Sequence, residues 1–203
     1  MQTLTKKAKG KVRKLILTVM VIGILAFSPM IWQAWANPDV IDAGPGAINR
    51  ASTAATLHTR IDLNNPANDS GTITSVELWY ATNATGVRVG TFYNVGGSNY
   101  TCRDSVVIGN VTSGSKQTFN GLSITVVAGD YIGFYDTVGT PERDTSGFSG
   151  YVYLTGEHID PSDSGTYTLN DDDALSIYAT GETAGAGDAG IMTTNTGYWG
   201  ATY

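Results

Sequence analysis

Apolar and polar residues alternate in short segments through most of the chain after residue 36, and this pattern constrains the fold more than any other feature. Val76, Leu78 and Tyr80, for example, alternate with Glu77 and Trp79. Successive side chains of a β-strand point to opposite faces of a sheet, so this alternation is typical of strands with one buried face. No segment of this part repeats its apolar residues with the spacing of an amphipathic helix. The pattern therefore predicts an all-β domain.

Turn-forming residues separate these segments and predict how the strands connect. The clearest unit is 122–135, where two alternating runs flank the turn-forming sequence Ala-Gly-Asp at 128–130, and we expect a strongly twisted hairpin there. The chain holds about eight to ten such strands, and many short antiparallel strands without intervening helices fold as a sandwich or a barrel. Because the segment 131–135 is apolar on both faces, we predict two packed sheets in a jelly-roll-like antiparallel β-sandwich.

The first 36 residues have the organisation of a cleavable signal peptide. A basic stretch at 6–14 precedes an apolar run at 15–27, and the A-x-A sequence at 34–36 places small residues where a signal peptidase cleaves. A retained membrane anchor is the alternative, since residues 15–36 are long enough to span a bilayer, but Pro29 interrupts them. The sequence thus predicts a secreted, extracellular protein.

Composition divides the chain into four segments. These are a signal peptide at 1–36, a turn-rich N-terminal flank at 37–55, the β-sandwich domain at 56–180 and a Gly-rich C-terminal tail at 181–203. Both flanks hold few residues that build a core. Two interpretations of them stay open: free chain ends, or segments that become ordered against a partner.

The charge of the mature chain limits its partners. Six of the 12 Lys and Arg residues lie in the leader, so the mature chain carries six against 18 Asp and Glu, a formal charge of −12. A surface so acidic repels phosphate backbones and anionic lipids. We therefore expect no nucleic-acid partner and, after signal cleavage, no membrane partner.

Residues suited to catalysis are few. A single cysteine, Cys102, excludes an intramolecular disulfide and is expected to be a small buried hydrophobe. The two histidines, His58 and His158, do not lie in a known catalytic motif. Glu142 and Asp144 flank Arg143 and are expected to pair with it rather than to hydrolyse a glycoside. We predict that the protein is not an enzyme.

Two acidic turns make calcium the one cofactor that the sequence predicts. Five carboxylates fall within 14 residues, and such turns can supply the oxygen ligands that calcium needs; they are Asp160, Asp163, Asp171, Asp172 and Asp173. The spacing does not match an EF-hand loop. The alternative, which stays open, is that these aspartates only cap the backbone N–H groups of solvated turns.

Aromatic residues indicate a ligand-binding surface. Trp79 lies on a strand with two faces, and Phe148 and Tyr151 lie beside glycine-rich turns close to Arg143 and Asp144. Exposed rings stack on the C–H faces of sugars, while neighbouring polar groups bind the hydroxyls. These five residues are the predicted ligand site, although core packing is the alternative for each ring.

Three segments together resemble the jelly-roll modules of secreted proteins from environmental bacteria. They are the strand at 71–79 (GTITSVELW), the turn unit at 126–135 (VVAGDYIGFY) and the closing strand at 175–178 (LSIY). The arrangement is also similar in outline to carbohydrate-binding modules and to C1q-like heads. The resemblance covers roughly residues 57–180 and implies fold and export, but it carries no functional residue across.

Together these features favour a secreted, non-catalytic recognition module that binds a glycan or another extracellular ligand. The alternative is a structural subunit of an extracellular filament or matrix, in which one flank adds a strand to the sheet edge of a neighbour. A glycoside hydrolase is the third and least favoured hypothesis, because it rests only on the number of carboxylates.

We predict that the exported protein begins at Asn37, because signal peptidase should cleave after the A-x-A sequence at 34–36. Intact-mass measurement and N-terminal sequencing of the exported product will test this. A product that still contains residues 15–27 would identify an anchored protein instead.

Overall fold

The computed structural model describes residues 40–183, and these form twelve β-strands. The predicted signal peptide and residues 184–203 of the predicted tail lie outside the described residues. Within residues 40–183 no helix is long and apolar enough to cross a membrane. The strands are β1 (Val40–Ala43), β2 (Ser52–Thr53), β3 (His58–Asp62), β4 (Gly71–Leu78), β5 (Tyr80–Gly96), β6 (Asn99–Val111), β7 (Gln117–Val126), β8 (Tyr131–Tyr135), β9 (Val138–Thr155), β10 (Ser164–Thr166), β11 (Thr168–Leu175) and β12 (Ile177–Thr183).

The strands form two antiparallel sheets, and this confirms the predicted all-β sandwich. One sheet has four strands in the order β1-β12-β4-β7. The other has eight strands, with β10-β6-β5-β8-β3-β9-β11 as its main path and β2 paired to β9. The strand number exceeds the expected eight to ten because β1, β2 and β10 are too short to show an alternating pattern.

The main core lies between the two sheets. Alternate residues of each strand turn inward, as the pattern of Val76, Leu78 and Tyr80 predicts, and all three side chains are fully buried. Large aliphatic and aromatic side chains of both sheets meet there; they include Ile41, Ile73, Ile124 and Ile177 from the smaller sheet and Val87, Val89, Ile132 and Phe134 from the larger one. Burial of this apolar surface is the main favourable contribution to the free energy of folding.

A second core covers the opposite face of the eight-stranded sheet. It contains Ile61, Phe92, Cys102, Tyr135, Val152, Ile159 and Tyr167. Tyr167 alone separates β10 from β11, although these strands stand at the two ends of the sheet path. The sheet is therefore curled so that its ends approach each other, and the second core fills its inner side.

The predicted hairpin at 122–135 is wrong in its pairing but right in its turn. β7 pairs with β4 in the smaller sheet, whereas β8 pairs with β3 and β5 in the larger one. Gly129 has a φ of 88°, and the Asp130 N–H donates to the carbonyl of Val127 at 2.9 Å. The connection is an arch between two sheets, because both strands turn apolar residues toward the same core.

The predicted N-terminal flank contains two strands of the domain. β1 pairs with β12 of the same chain, and β2 pairs with β9. The outer edge of β1 is covered by Asn68, whose Nδ2 donates to the Val40 carbonyl at 3.1 Å and whose Oδ1 accepts from Asp42 N–H at 2.9 Å. This amide satisfies backbone groups through which an edge strand otherwise pairs with another chain.

We expect Gly129→Val to lower the free energy of unfolding by about 1–3 kcal/mol, because a branched side chain is strained at positive φ. Apart from the two chain neighbours, no atom lies within 4 Å of a Cβ added there, so the backbone conformation is the main cause of the loss. Urea unfolding of both the variant and Ala128→Val will measure the loss. The neighbouring Ala128 is exposed and has no positive φ, so its variant should change stability by less than about 0.5 kcal/mol. Equal stability of the two variants would contradict a strained turn at Gly129.

Candidate functional site

A cavity of about 230 Å³ lies on the face of the eight-stranded sheet where β3, β9 and β11 run side by side. Its lining combines aromatic rings with basic and amide groups, and consists of Thr53, Ala54, Ala55, His58, Arg60, Arg143, Tyr151, Tyr153 and Asn170. A concave site of this kind, with rings and a few polar groups, is where small ligands bind. We treat this cavity as the candidate site.

Strand register brings most of these side chains to one face. Arg60 of β3 lies opposite Tyr153 of β9, and Tyr151 of β9 lies opposite Asn170 of β11. His58 is two residues from Arg60 and therefore shares its face. The remaining wall is the segment 53–55, which β2 fixes by pairing with β9.

Arg60 is the most buried member of the lining, with 1% of its side chain exposed. Its Nη1 donates to Asp136 Oδ2 at 3.2 Å and to the His58 carbonyl at 3.1 Å. Tyr80 Oη donates to the same Asp136 oxygen at 3.0 Å, and Thr56 Oγ1 donates to the other at 2.9 Å. Burial raises the pKa of Asp136 above its ordinary value, although Arg60 and these donors oppose the shift.

The second nitrogen of the Arg60 guanidinium has no such partner. Nη2 is buried and makes no hydrogen bond to any residue of 40–183. A buried donor without an acceptor costs free energy unless a bound molecule supplies one. The Arg60 guanidinium carbon lies 5.4 Å from the centroid of the Phe134 ring, and Nη2 has almost no accessible surface, so a molecule in the cavity does not reach this donor.

Arg143 forms a second guanidinium group on the cavity wall. It forms an ion pair with buried Asp173, and its Nε donates to the Thr53 carbonyl at 2.9 Å. Asn170 Nδ2 also donates to Asp173, at 2.5 Å. Asp173 thus holds the side chains of Arg143 and Asn170 in fixed positions on the cavity wall.

Three rings give the cavity an aromatic wall. The His58 and Tyr153 rings meet edge to face with centroids 5.3 Å apart, and those of Tyr151 and Tyr153 are 6.3 Å apart. Burial raises the pKa of Tyr151, so its hydroxyl stays protonated at neutral pH. Next to His58, Leu57 is 49% exposed and has a φ of 61°, a strained conformation that occurs often beside functional sites.

Two of the five predicted ligand residues, Arg143 and Tyr151, line this cavity. Asp144 and Phe148 instead contact Arg50, the first at 2.5 Å from Nη1 and the second with its ring 5.3 Å from the guanidinium carbon. Trp79 is half-buried between β4 and β5 and is not part of the lining. The structure therefore places two of the predicted residues on the cavity wall, two against Arg50 and Trp79 with neither group.

The expected pairing of Arg143 with its sequence neighbours is wrong. Arg143 pairs with Asp173, while Asp144 pairs with Arg50 and Glu142 accepts the Arg50 N–H at 2.7 Å. Adjacent residues of a strand point to opposite faces, so an arginine reaches acids on neighbouring strands rather than those beside it.

The predicted calcium ligands fall into two groups with separate partners. Asp160 forms an ion pair with Arg88 at 2.7 Å, and its N–H donates to Asp163 at 3.0 Å. Asp173 is bound by Arg143, while Asp171 and Asp172 are exposed. Across residues 40–183 no three His, Cys, Asp or Glu side chains form a group that could hold a metal ion. Calcium binding stays a prediction of the sequence.

Cys102 is 1% exposed, as expected for a small buried hydrophobe. Burial raises the pKa of its thiol to about 12, so the reactive thiolate does not form at physiological pH.

His158 is anchored through its main chain, because its backbone N–H donates to Thr59 Oγ1 at 2.8 Å. Neither residue lies in the cavity lining.

Sequence reasoning missed His58, Arg60, Tyr153 and Asn170 as site residues. The alternation in β3 does place His58 and Arg60 on one face, but that face reads as solvent-facing because its residues are polar. The feature that identifies the site is a buried arginine, Arg60, on β3, a strand that is buried on both faces. The sequence alone does not show this, because burial of both faces depends on the curled sheet.

Comparisons with known proteins return no match: no protein family, no curated protein and no solved structure is significantly similar to this chain.

We expect Asp136→Asn to lower the free energy of unfolding by about 3–5 kcal/mol, because it leaves the buried Arg60 guanidinium without its counter-ion. The matched control is Glu77→Gln, which removes the partly exposed ion pair with Lys116 and should cost less than about 1 kcal/mol. Urea unfolding of both variants will give the two values. Similar small losses would show that the buried pair does not stabilise the site.

Proposed function

We propose that the protein is a secreted, non-catalytic recognition module that binds one sugar ring of an extracellular glycan in the cavity between β3, β9, β11 and the segment 53–55. The observation that carries this proposal is the combination, in one cavity, of tyrosine and histidine rings with guanidinium and amide groups. The export signal and the shape of the site both support an extracellular ligand of small size.

The aromatic wall suits the apolar side of a sugar. Tyr153 is partly exposed, whereas Tyr151 is buried and supports it from the neighbouring position on the same face. A ring held in this way loses little conformational freedom when a ligand packs on it. The C–H groups on one face of a pyranose can therefore stack on Tyr153.

The polar groups suit the hydroxyls of the same ring. Arg143 and Asn170 are fixed by Asp173, so their remaining donors are oriented before a ligand arrives, while Arg60 is fixed by Asp136 beneath the lining. A volume of about 230 Å³ lies below the roughly 300–1,000 Å³ of sites for drug-sized ligands. The cavity accordingly fits a single ring rather than a long oligosaccharide.

The alternative functions stay predictions. Assembly into filaments through the segment 37–55 competes with two sets of contacts, since β1 pairs with β12 and Asn68 covers its outer edge. Glycoside hydrolysis needs two carboxylates beside the ligand, and the cavity lining contains none. We therefore propose binding rather than hydrolysis for this cavity.

A glycan array followed by calorimetric titration of the exported protein will test the proposal. We expect Tyr153→Ala to weaken binding by about tenfold or more, the loss typical of a central tyrosine contact. Phe148→Ala is the matched control, because Phe148 lies on the same strand, is 36% exposed and stands outside the cavity lining. It should leave the affinity unchanged.

Thermal unfolding of both variants will show that each is folded before its affinity is compared. Unchanged binding by Tyr153→Ala would place the ligand elsewhere on the surface. Failure of the wild-type protein to bind any glycan on the array would reject glycan recognition itself.

A further inference from the structure

We propose that the open side of the sandwich between β6 and β7 binds a second copy of this chain, with the β6 edges of the two copies pairing antiparallel along residues 105–109. The inference does not depend on the proposed function, because β5 and β8 separate β6 from the cavity strands in the sheet. Three observations carry it: an unpaired strand edge, apolar residues along that edge, and a sequence there that is complementary to itself.

The outer edge of β6 is paired only at its start. β10 pairs with β6 at residues 99–101, and the Cys102 backbone then bonds to residues 162 and 163. Beyond residue 102, no strand of residues 40–183 pairs with β6 on the side that faces away from β5. An edge strand presents a row of unpaired N–H and C=O groups, and through these it pairs with a strand of another chain.

The other sheet edges carry features that oppose such pairing. Asn68 covers the outer edge of β1, and β10 is only three residues long. β11 has two register shifts and exposes Asp171 and Asp172. Short length, bulges and charged side chains are the means by which edge strands avoid association. β6 instead keeps a regular stretch, since residues 104–107 pair with β5 in unbroken register.

The residues of this edge are apolar and β-branched. Val106, Val107 and Ile108 follow one another, and Val107 is 67% exposed, more than any other large hydrophobic residue of the described chain. Val106 and Ile108 pack at the margin of the main core and are only partly buried. Phe119 and Leu122 of β7 do the same from the other sheet. A partner on this side therefore removes apolar surface from water as well as extending the sheet.

The charge of this side suits a second copy of an acidic protein. Two mature chains with a net charge of −12 repel each other, so they meet most easily where few acids are present. Residues 105–129 include the second half of β6 and all of β7, and they contain one lysine but no Asp or Glu. This segment is therefore the part of the sandwich that a second copy approaches with least repulsion.

The acids nearest to this edge already have partners in their own chain. Asp104 accepts the N–H of Ser105 at 2.8 Å and that of Thr125 at 2.7 Å. Arg88 of β5 forms ion pairs with two further acids, Glu157 and Asp160. Its positive charge offsets part of their repulsion toward a second copy.

The sequence of the edge is complementary to itself. A two-fold axis brings the same surface of both copies together, and it pairs identical strands in antiparallel orientation. With the axis at Val107, Val106 of one copy lies opposite Ile108 of the other, and Ser105 lies opposite Gly109. Cross-strand pairs of this kind stabilise antiparallel strands. Because the paired segment is short, we expect the weak association that is typical of small interfaces.

Sedimentation velocity of the exported protein between about 1 and 300 µM will test the inference. We expect a monomer at the lowest concentration and a dimer at the highest. Association should be tighter at higher salt, because salt screens the repulsion between two acidic chains. Hydrogen exchange of the amides at 105–109 should slow as the dimer forms, since strand pairing protects them.

Val107→Lys should weaken dimerisation by about tenfold or more, because the two-fold axis places the two lysines directly opposite each other. The matched control is Val40→Lys. Val40 is 65% exposed and lies on β1, an edge that Asn68 already covers, so its variant should dimerise like the wild type. Both variants add one positive charge, and thermal unfolding will show that both are folded.

The outcomes distinguish this surface from the alternatives. A protein that stays monomeric at the highest concentration overturns the inference, and protection of residues 105–109 in that monomer would show that another segment of the same chain covers the edge. A dimer that leaves their exchange unchanged, or that Val40→Lys weakens as much as Val107→Lys, overturns the assignment to β6. Weaker association at higher salt would identify an interface of ion pairs and overturn it as well.

Discussion

The central strands of the eight-stranded sheet are buried on both faces, and most of the molecule follows from that constraint. One face packs on the smaller sheet and the other encloses the second core, so its central strands need apolar side chains at consecutive positions, as in Phe134 and Tyr135. Every polar residue on such a strand must find a partner inside the protein. Asp62 accepts hydrogen bonds from the backbone N–H groups of Asn64 and Leu175, which favour its charged form. Burial nevertheless raises the pKa of Asp62 to about 6.

The cavity is a consequence of the same constraint. The main core lies on one face of the eight-stranded sheet, and at β3, β9 and β11 it gives way to the cavity, in which the segment 53–55 forms one wall. Arg60 stands at this boundary, with Asp136 and Tyr80 on the covered side and the cavity on the other. The ion pair thus fixes a guanidinium where the core ends and the cavity begins.

The sequence predicts the strands and their buried faces better than it predicts which strands and side chains pair with each other. Alternation at 76–80 predicts which residues are buried, since the side-chain period is a local property. Partner choice is not local: β7 and β8 look like a hairpin but join different sheets, and Arg143 pairs with Asp173 rather than with Asp144. The sequence predicts Tyr151 and Arg143 as candidate site residues from their residue types and the glycine-rich turns beside them. It does not predict Arg60, because the burial of its strand depends on contacts with distant segments.

The place of β12 has a consequence for how the chain is made. This strand ends the described part of the chain, yet it lies between β1 and β4 in the smaller sheet. A protein is synthesised from its N-terminus, and pairings between distant segments form slowly because the intervening loop must first close. While residues 44–176 emerge from the ribosome, β1 has neither β12 beside it nor a finished core beneath it. The nascent chain therefore completes its smaller sheet only when its last described strand has been translated.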